Sequence, residues 1–97
     1  MKKQVVLDGA MMKDKKSAHQ YLARQMKFPG SYKGSLPELE EMLLAVDVPM
    51  EIIWLRHEAM LDALEDYGEE LFEAVMSAAQ ENDMIGLYVA QSLFEEE

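Results

Sequence analysis

This chain contains no cysteine, which excludes a disulfide framework and any zinc site built on thiolates. The first apolar run, Val5 to Leu7, ends at Asp8 and is too short for the core of a signal peptide, and no other run approaches membrane-spanning length. Basic residues are scarce: 9 stand against 19 acidic residues, and the net charge is −10. Because nucleic-acid binding needs a basic surface, we expect the protein not to bind nucleic acid. Because its apolar runs are short, we expect it to be cytoplasmic and not to bind membranes.

The sequence also lacks the motifs of common catalytic sites. It has two histidines, His19 and His57, and no nucleophile elbow, P-loop or dinucleotide-binding glycine pattern. Each histidine is expected to be packed or interfacial rather than a general base. The acidic run from Glu65 to Glu73 lies on predicted helices and lacks the alternating oxygen ligands of a calcium loop. We therefore predict no enzymatic activity, no cofactor and no metal site.

What is present is enough apolar sequence for one packed domain. Hydrophobic residues make up 49% of the 97 residues, and we take 1–97 as a single domain whose acidic end, 94–97, is expected to be frayed. The charge is divided: residues 1–33 carry +6, whereas residues 34–97 carry −16 with Arg56 as their one basic residue. This division is compatible with internal complementarity, with an acidic surface for a basic partner, or with a solvated acidic face.

Apolar periodicity predicts three strands and four helices. Strands are expected at 3–7, 50–55 and 84–90, and the second is apolar at nearly every position, as a buried parallel strand would be. Helices are expected from a Ser17 cap to about Lys27, from a Ser35 cap to Val46, from His57 to Tyr67 with Gly68 as its end, and from Glu69 to Glu81. The order β-α-α-β-α-α-β predicts an α/β fold: a three-stranded parallel sheet packed with about four helices.

The second predicted helix has the clearest start. Ser35 and Glu38 have the spacing of a capping box, and Pro37 lies in the first turn, where its missing N–H is tolerated. At 100° per residue, one face is apolar, and the opposite face carries Glu38, Glu41 and Ala45 with Glu40 on a flank. The preceding Pro/Gly loop presents Tyr32, an aromatic residue of a type enriched at interfaces. Such an acidic helix suits the arginine and lysine side chains of a phosphate-binding cleft.

Motifs along nearly the whole chain, from Lys2 to about Ala90, resemble the barstar family, intracellular inhibitors of ribonucleases such as barnase. The resemblance is carried by Ala18-His19-Gln20, by Phe28-Pro29 with Tyr32, Leu36 and Leu39, by Pro49 with Trp54-Leu55-Arg56, and by Tyr67-Gly68. It implies a three-stranded parallel sheet with packed helices, which agrees with the order predicted above. It also implies that the loop and second helix plug a ribonuclease active site, with acidic side chains in the place of substrate phosphate.

Carried over by position, the resemblance places Glu41 at the family's central aspartate, Tyr32 at one of a tyrosine pair and Ser35 at an asparagine. The chain departs from the family at Ser31, Pro37, Glu40, Val46 and Ser77, where the family has tyrosine, aspartate, two tryptophans and glutamate, and Glu73 stands one turn before Ser77 as a substitute. The predicted partner-binding residues are Glu41, Tyr32, Glu38, Glu40, Ser35, Ser31, Ala45 and Glu73.

Two hypotheses follow. In the first, the protein is an inhibitor or immunity protein, monomeric when free, for a basic extracellular-type ribonuclease or nuclease toxin. In the second, favoured by the missing aromatic residues, it is an interaction or regulatory domain that keeps the fold but has a different protein partner, including a second copy of itself. The inhibitor hypothesis requires Glu38 and Glu41 to point outward, and it fails if they are turned inward or paired with the chain's own lysines.

Overall fold

The computed structural model describes residues 3–90, in which three strands form one parallel sheet. The strands are β1 (Lys3–Asp8), β2 (Met50–Leu55) and β3 (Ile85–Val89), and β2 lies between the other two. The predicted bounds of the central strand, 50–55, are confirmed. The predicted frayed end at 94–97 lies outside the described residues.

Four α-helices connect the strands. Helices α1 (Lys15–Met26) and α2 (Leu36–Leu44) lie between β1 and β2, and helices α3 (His57–Leu64) and α4 (Asp66–Glu81) lie between β2 and β3. The predicted α/β class and the order β-α-α-β-α-α-β are therefore confirmed. Within residues 3–90, none of the helices combines the length and apolar character that crossing a membrane requires.

The predicted cap of α1 at Ser17 is wrong, because the cap is Asp14, three residues earlier, and the helix begins at Lys15. The Asp14 carboxylate accepts from the Ser17 backbone N–H at 2.8 Å, and the Ser17 hydroxyl accepts from the Asp14 N–H at 3.1 Å, which together make a capping box. Hydrogen bonding of the Asp14 carboxylate by the Ser17 backbone N–H, and then by the Ser17 side chain, holds the pKa of Asp14 below its usual value. Ser17 thus takes part in the cap, but from the third helical position.

The predicted end of the third helix at Gly68 is also wrong. The chain breaks at Glu65, whose φ of 56° is unusual for a residue with a side chain, and α4 already begins at Asp66. Gly68 lies inside α4, where an added Cβ would stand 3.2 Å from the Leu64 Cβ and the Met60 carbonyl oxygen. Glycine is needed there for close packing of α3 on α4, rather than to end a helix.

The two faces of the sheet differ in burial. On the inner face, Leu7, Ile52 and Trp54 are fully buried and pack with apolar residues of all four helices. On the outer face, Val6 is 42% exposed and Tyr88 is 53% exposed. Since burying a large apolar side chain contributes about 1.5–3 kcal/mol, the inner face holds most of the stability of the sheet.

Candidate functional site

A short loop connects α1 to α2 and is folded on itself. Helix α1 ends at Met26, and the next residue, Lys27, caps it in a left-handed conformation with φ 60°. The Tyr32 N–H then donates to the Pro29 carbonyl at 3.0 Å, and the Phe28 and Tyr32 rings lie 4.9 Å apart between centroids. These contacts make the segment a compact turn that leads directly into the acidic helix.

His19 holds this loop to the rest of the protein. It is 5% exposed, and its Nδ1 lies 2.7 Å from the Tyr32 hydroxyl while its Nε2 lies 2.6 Å from the Tyr67 hydroxyl. Burial lowers the pKa of His19 more than the negative charge of Glu38 raises it, so the neutral imidazole is favoured. The expectation that His19 is packed is confirmed. Tyr32 is half-buried and its hydroxyl is hydrogen-bonded to His19, so this side chain supports the loop and also forms part of the loop's surface.

Glu38 makes different contacts from those predicted. The Ser35 hydroxyl caps α2 by accepting from the Glu38 N–H at 3.3 Å, as expected. The Glu38 carboxylate, however, accepts from the backbone N–H groups of Lys33 and Gly34, both at 3.0 Å, instead of closing a capping box on Ser35. The prediction of a freely projecting Glu38 is therefore corrected: this side chain is half-buried and fastens the loop to the helix. Of the two glutamates that the inhibitor hypothesis requires to point outward, only Glu41 is exposed, so the hypothesis depends on Glu41 and not on Glu38.

Gly34 lets the loop pass close to His19. Its φ is +95°, a conformation that side chains disfavour, and an added Cβ would lie 3.1 Å from the His19 Cβ. The positive φ and the close approach to His19 both disfavour a side chain at this residue, so glycine is required at this position. The sequence marked Gly34 only as part of a loop.

The other end of α2 is held by a residue that the sequence assigned only to a turn. The Asn82 side chain, just after α4, donates from Nδ2 to the carbonyl oxygens of Leu43 at 2.9 Å and Val46 at 3.0 Å. These groups belong to the last turn of α2 and the residues beyond it, where helix carbonyls lack partners. Along its length α2 is anchored by Leu39 and Leu43, which are both fully buried. The helix is therefore held at both ends and along one face.

An acidic groove of about 350 Å³ runs between α2 and α4. Three glutamates line it, Glu40 from α2 with Glu70 and Glu73 from α4, and Ser77 lies at the same groove. The structure thus brings together two predicted partner-binding residues, Glu40 and Glu73. The structure adds Glu70, which was not among the predicted residues. Its spacing of three residues from Glu73 places both side chains on one face of a helix, and this spacing could have identified it from the sequence. Within residues 3–90, no three His, Asp or Glu side chains are grouped closely enough to hold a metal ion.

The remaining predicted residues do not line this groove. Glu41 is exposed on α2, and Ala45, four residues later, is exposed just after the end of that helix. Ser31 is exposed in the loop, whereas Ser35 is half-buried with its hydroxyl engaged in the cap.

The acidic side chains of this region form no ion pair with the basic residues among 3–90. In the described part of the chain, no lysine or arginine forms an ion pair with Glu40, Glu41 or the two glutamates of α4. Arg56, the one basic residue of the acidic segment, instead binds Asp8 through two hydrogen bonds, one of them from Nε at 3.0 Å. The acidic surface is therefore available to a basic partner.

Comparison with protein-family models identifies the family of this chain. The family model described as Barstar (barnase inhibitor) matches residues 2–91. A search of curated proteins found no match. The family's description is that of an inhibitor rather than an enzyme, and it implies a protein partner such as a ribonuclease. With the matched residues covering nearly the whole chain, and with the three-stranded parallel fold found here, the protein belongs to the barstar family.

Proposed function

We propose that this protein inhibits a basic ribonuclease by placing α2 and the preceding loop in the active-site cleft, with carboxylates in the place of RNA phosphates. One observation carries the proposal. Four exposed carboxylates, those of Glu40, Glu41, Glu70 and Glu73, lie on two helices packed together, and none of them forms an ion pair within residues 3–90. Membership in a family described by barnase inhibition supports the same role.

The physical argument rests on charge complementarity. A ribonuclease cleft must be cationic to hold its polyanionic substrate, so a rigid acidic surface of suitable shape competes for the same arginine and lysine side chains. Because α2 is held at both ends, its backbone loses little conformational freedom on binding. Association is expected to be fast at low ionic strength and to slow as salt screens the charges.

The predicted residues have two different roles in this proposal. Glu38, Ser35 and the Tyr32 hydroxyl make hydrogen bonds that position the loop and the start of α2. The direct contacts are then assigned to Glu41 and to the glutamates of the acidic groove. Ser31 and Ala45 are exposed and small, so they allow a partner to approach the backbone closely.

The decisive experiment measures inhibition constants against barnase and a panel of other basic ribonucleases. For the cognate enzyme, Glu41→Gln should weaken inhibition by about 30-fold or more, because losing one partner of a buried charge pair costs about 2–5 kcal/mol. Glu81→Gln, at an exposed glutamate in the last turn of α4, is the matched control and should change inhibition less than about threefold. Equal effects of the two substitutions would remove Glu41 from the site, and failure to inhibit any ribonuclease would overturn the proposal.

The second candidate is a barstar-fold interaction domain that binds another protein or a second copy of itself. The exposed Val6 and Tyr88 on the outer sheet face favour it. Analytical ultracentrifugation separates the two: a dimer disrupted by Tyr88→Ser, together with no ribonuclease inhibition, would establish this alternative.

A further inference from the structure

A second cavity, which we call the lysine pocket, has the opposite charge to the acidic groove. It measures about 440 Å³ and lies between α1, the loop and the start of α4. Its polar and aromatic lining comprises Lys15, Lys16, Lys33, His19, Gln20, Tyr32 and Tyr67. We propose that the lysine pocket binds a small organic phosphate monoester, a ligand of mononucleotide size. This inference concerns the free protein and does not depend on the inhibitor role.

The charge of the pocket is unusual for this chain. Three of only nine basic residues surround one cavity in a protein of net charge −10. Within residues 3–90 none of these three lysines is ion-paired with a carboxylate. Two carboxylates lie near the pocket. That of Glu38 accepts hydrogen bonds from the Lys33 and Gly34 backbone N–H groups. The negative charge of Glu70 adds to burial in raising the pKa of Tyr67. An anion in the cavity would relieve the mutual repulsion of the three ammonium groups.

Two of these lysines, Lys15 and Lys16, stand in the first turn of α1 and line the pocket. The N-terminus of that helix is already capped by the Asp14 carboxylate, on which the charge of Lys16 acts. The Lys15 ammonium lies over the Tyr67 ring, 4.6 Å from its centroid. A bound phosphate would be attracted to both ammonium groups.

The hydrogen bonds around His19 leave a donor for such a ligand. A neutral imidazole donates through one ring nitrogen and accepts through the other. The tyrosine that donates to His19 uses its hydroxyl hydrogen, whereas the tyrosine that accepts from His19 keeps its own hydrogen free. That remaining O–H can donate to a phosphate oxygen beside the lysine ammonium groups, which act on phosphate as point charges.

The size of the cavity distinguishes an organic phosphate from the free ion. Pockets for small organic ligands run from about 300 to 1,000 Å³, and the lysine pocket falls in that range. Inorganic phosphate would fill only a small part of it. The rings of Tyr32 and Tyr67 and the Ala23 side chain supply apolar surface for the organic part of the ligand.

The test titrates the full chain with adenosine monophosphate, adenosine and inorganic phosphate, followed by amide chemical shifts in NMR spectra. We expect adenosine monophosphate to shift the amides of the pocket, inorganic phosphate to bind at least tenfold more weakly, and adenosine to give no shift. Lys16→Met and Lys33→Met should each weaken adenosine monophosphate binding at least fivefold. Lys13→Met, at an exposed lysine that does not line the pocket, is the control and should leave binding unchanged.

Several results would overturn the proposal. No shift at the pocket with adenosine monophosphate would do so, and so would Lys16 and Lys33 variants that bind as well as the Lys13 variant. Inorganic phosphate that binds as tightly as the nucleotide would exclude an organic ligand. Because no nuclease is present, none of these outcomes bears on the inhibitor proposal.

Discussion

The sheet and the loop–α2 region are held together by different combinations of forces. The inner face of the sheet is stabilised by apolar burial, with Ile52 and Trp54 fully removed from solvent. The loop–α2 region also buries apolar side chains of α2, but its position depends in addition on side-chain hydrogen bonds of His19, Glu38 and Asn82. Burial is non-directional and sets overall stability, whereas directed hydrogen bonds fix the position of particular backbone groups.

This difference separates stability from site geometry. A change in the sheet core should lower the free energy of unfolding while the folded molecules keep their binding surface. A change in the side-chain hydrogen bonds of the loop–α2 region should cost less stability but alter the surface. Three experiments, ordered from the largest expected effect to the smallest, examine that separation.

Truncation of the core should have the largest effect on stability. Ile52→Ala is expected to lower the free energy of unfolding by about 2–5 kcal/mol, because it removes buried methyl groups and leaves a cavity. Urea denaturation followed by circular dichroism measures the loss. The matched control is Ile53→Ala, whose side chain is on the half-exposed outer face of the same strand and should cost less than half as much. Equal losses at both positions would contradict the assignment of the inner face as the core.

Removal of the Asn82 side chain should have an intermediate effect, centred on α2. Asn82→Ala leaves the Leu43 and Val46 carbonyls without this donor, and we expect a loss of about 1–3 kcal/mol. Hydrogen exchange of the α2 amides should accelerate more than that of the β2 amides. Asp83→Ala, at the exposed neighbour, is the control and should leave both rates unchanged. Uniform acceleration in the two elements would show that Asn82 acts on the whole fold.

The smallest effect is a pH dependence that arises from His19. Burial lowers the pKa of His19 below its usual 6.5 in the folded state, so the unfolded chain binds more protons in that range. The free energy of unfolding should therefore be highest above pH 6.5, fall as the pH drops below 6.5, and level off below the folded-state pKa of His19. Urea midpoints at pH 7.5, 6.5 and 5.5 measure this slope.

Two variants check the origin of that slope. His19→Gln should flatten the pH dependence, because the titrating group is gone. Glu38→Gln should steepen it, since the Glu38 charge opposes the lowering of the His19 pKa. A His19→Gln protein that keeps the wild-type slope would assign the dependence to other groups.

The sequence predicted the elements whose signals are local. The bounds of β2 followed from its continuous apolar run, and the start of α2 followed from Ser35 and Pro37. The end of α2 was placed two residues late, at Val46 instead of Leu44. The Val46 carbonyl is held by Asn82, which is 36 residues away, and no local pattern reveals such a contact.

The candidate site was predicted in composition but not in arrangement. The acidic character of α2 is readable from helical periodicity, but the groove shared by Glu40 and Glu73 depends on how α2 packs against α4. The role of Gly68 shows the same limit: a glycine that ends a helix and a glycine that allows close packing are identical in sequence. The lysine pocket was missed because it joins α1, the loop and α4.

The His19 contacts have a consequence for how new specificities arise on this scaffold. The imidazole ties together three segments, through tyrosines 13 and 48 residues away, without using any exposed side chain of the loop. Exposed positions such as Ser31 and Glu40 can then be exchanged while the underlying support stays intact. The surface that this loop and helix present can therefore change by replacement of exposed residues, while the buried contacts that hold the backbone in place are kept.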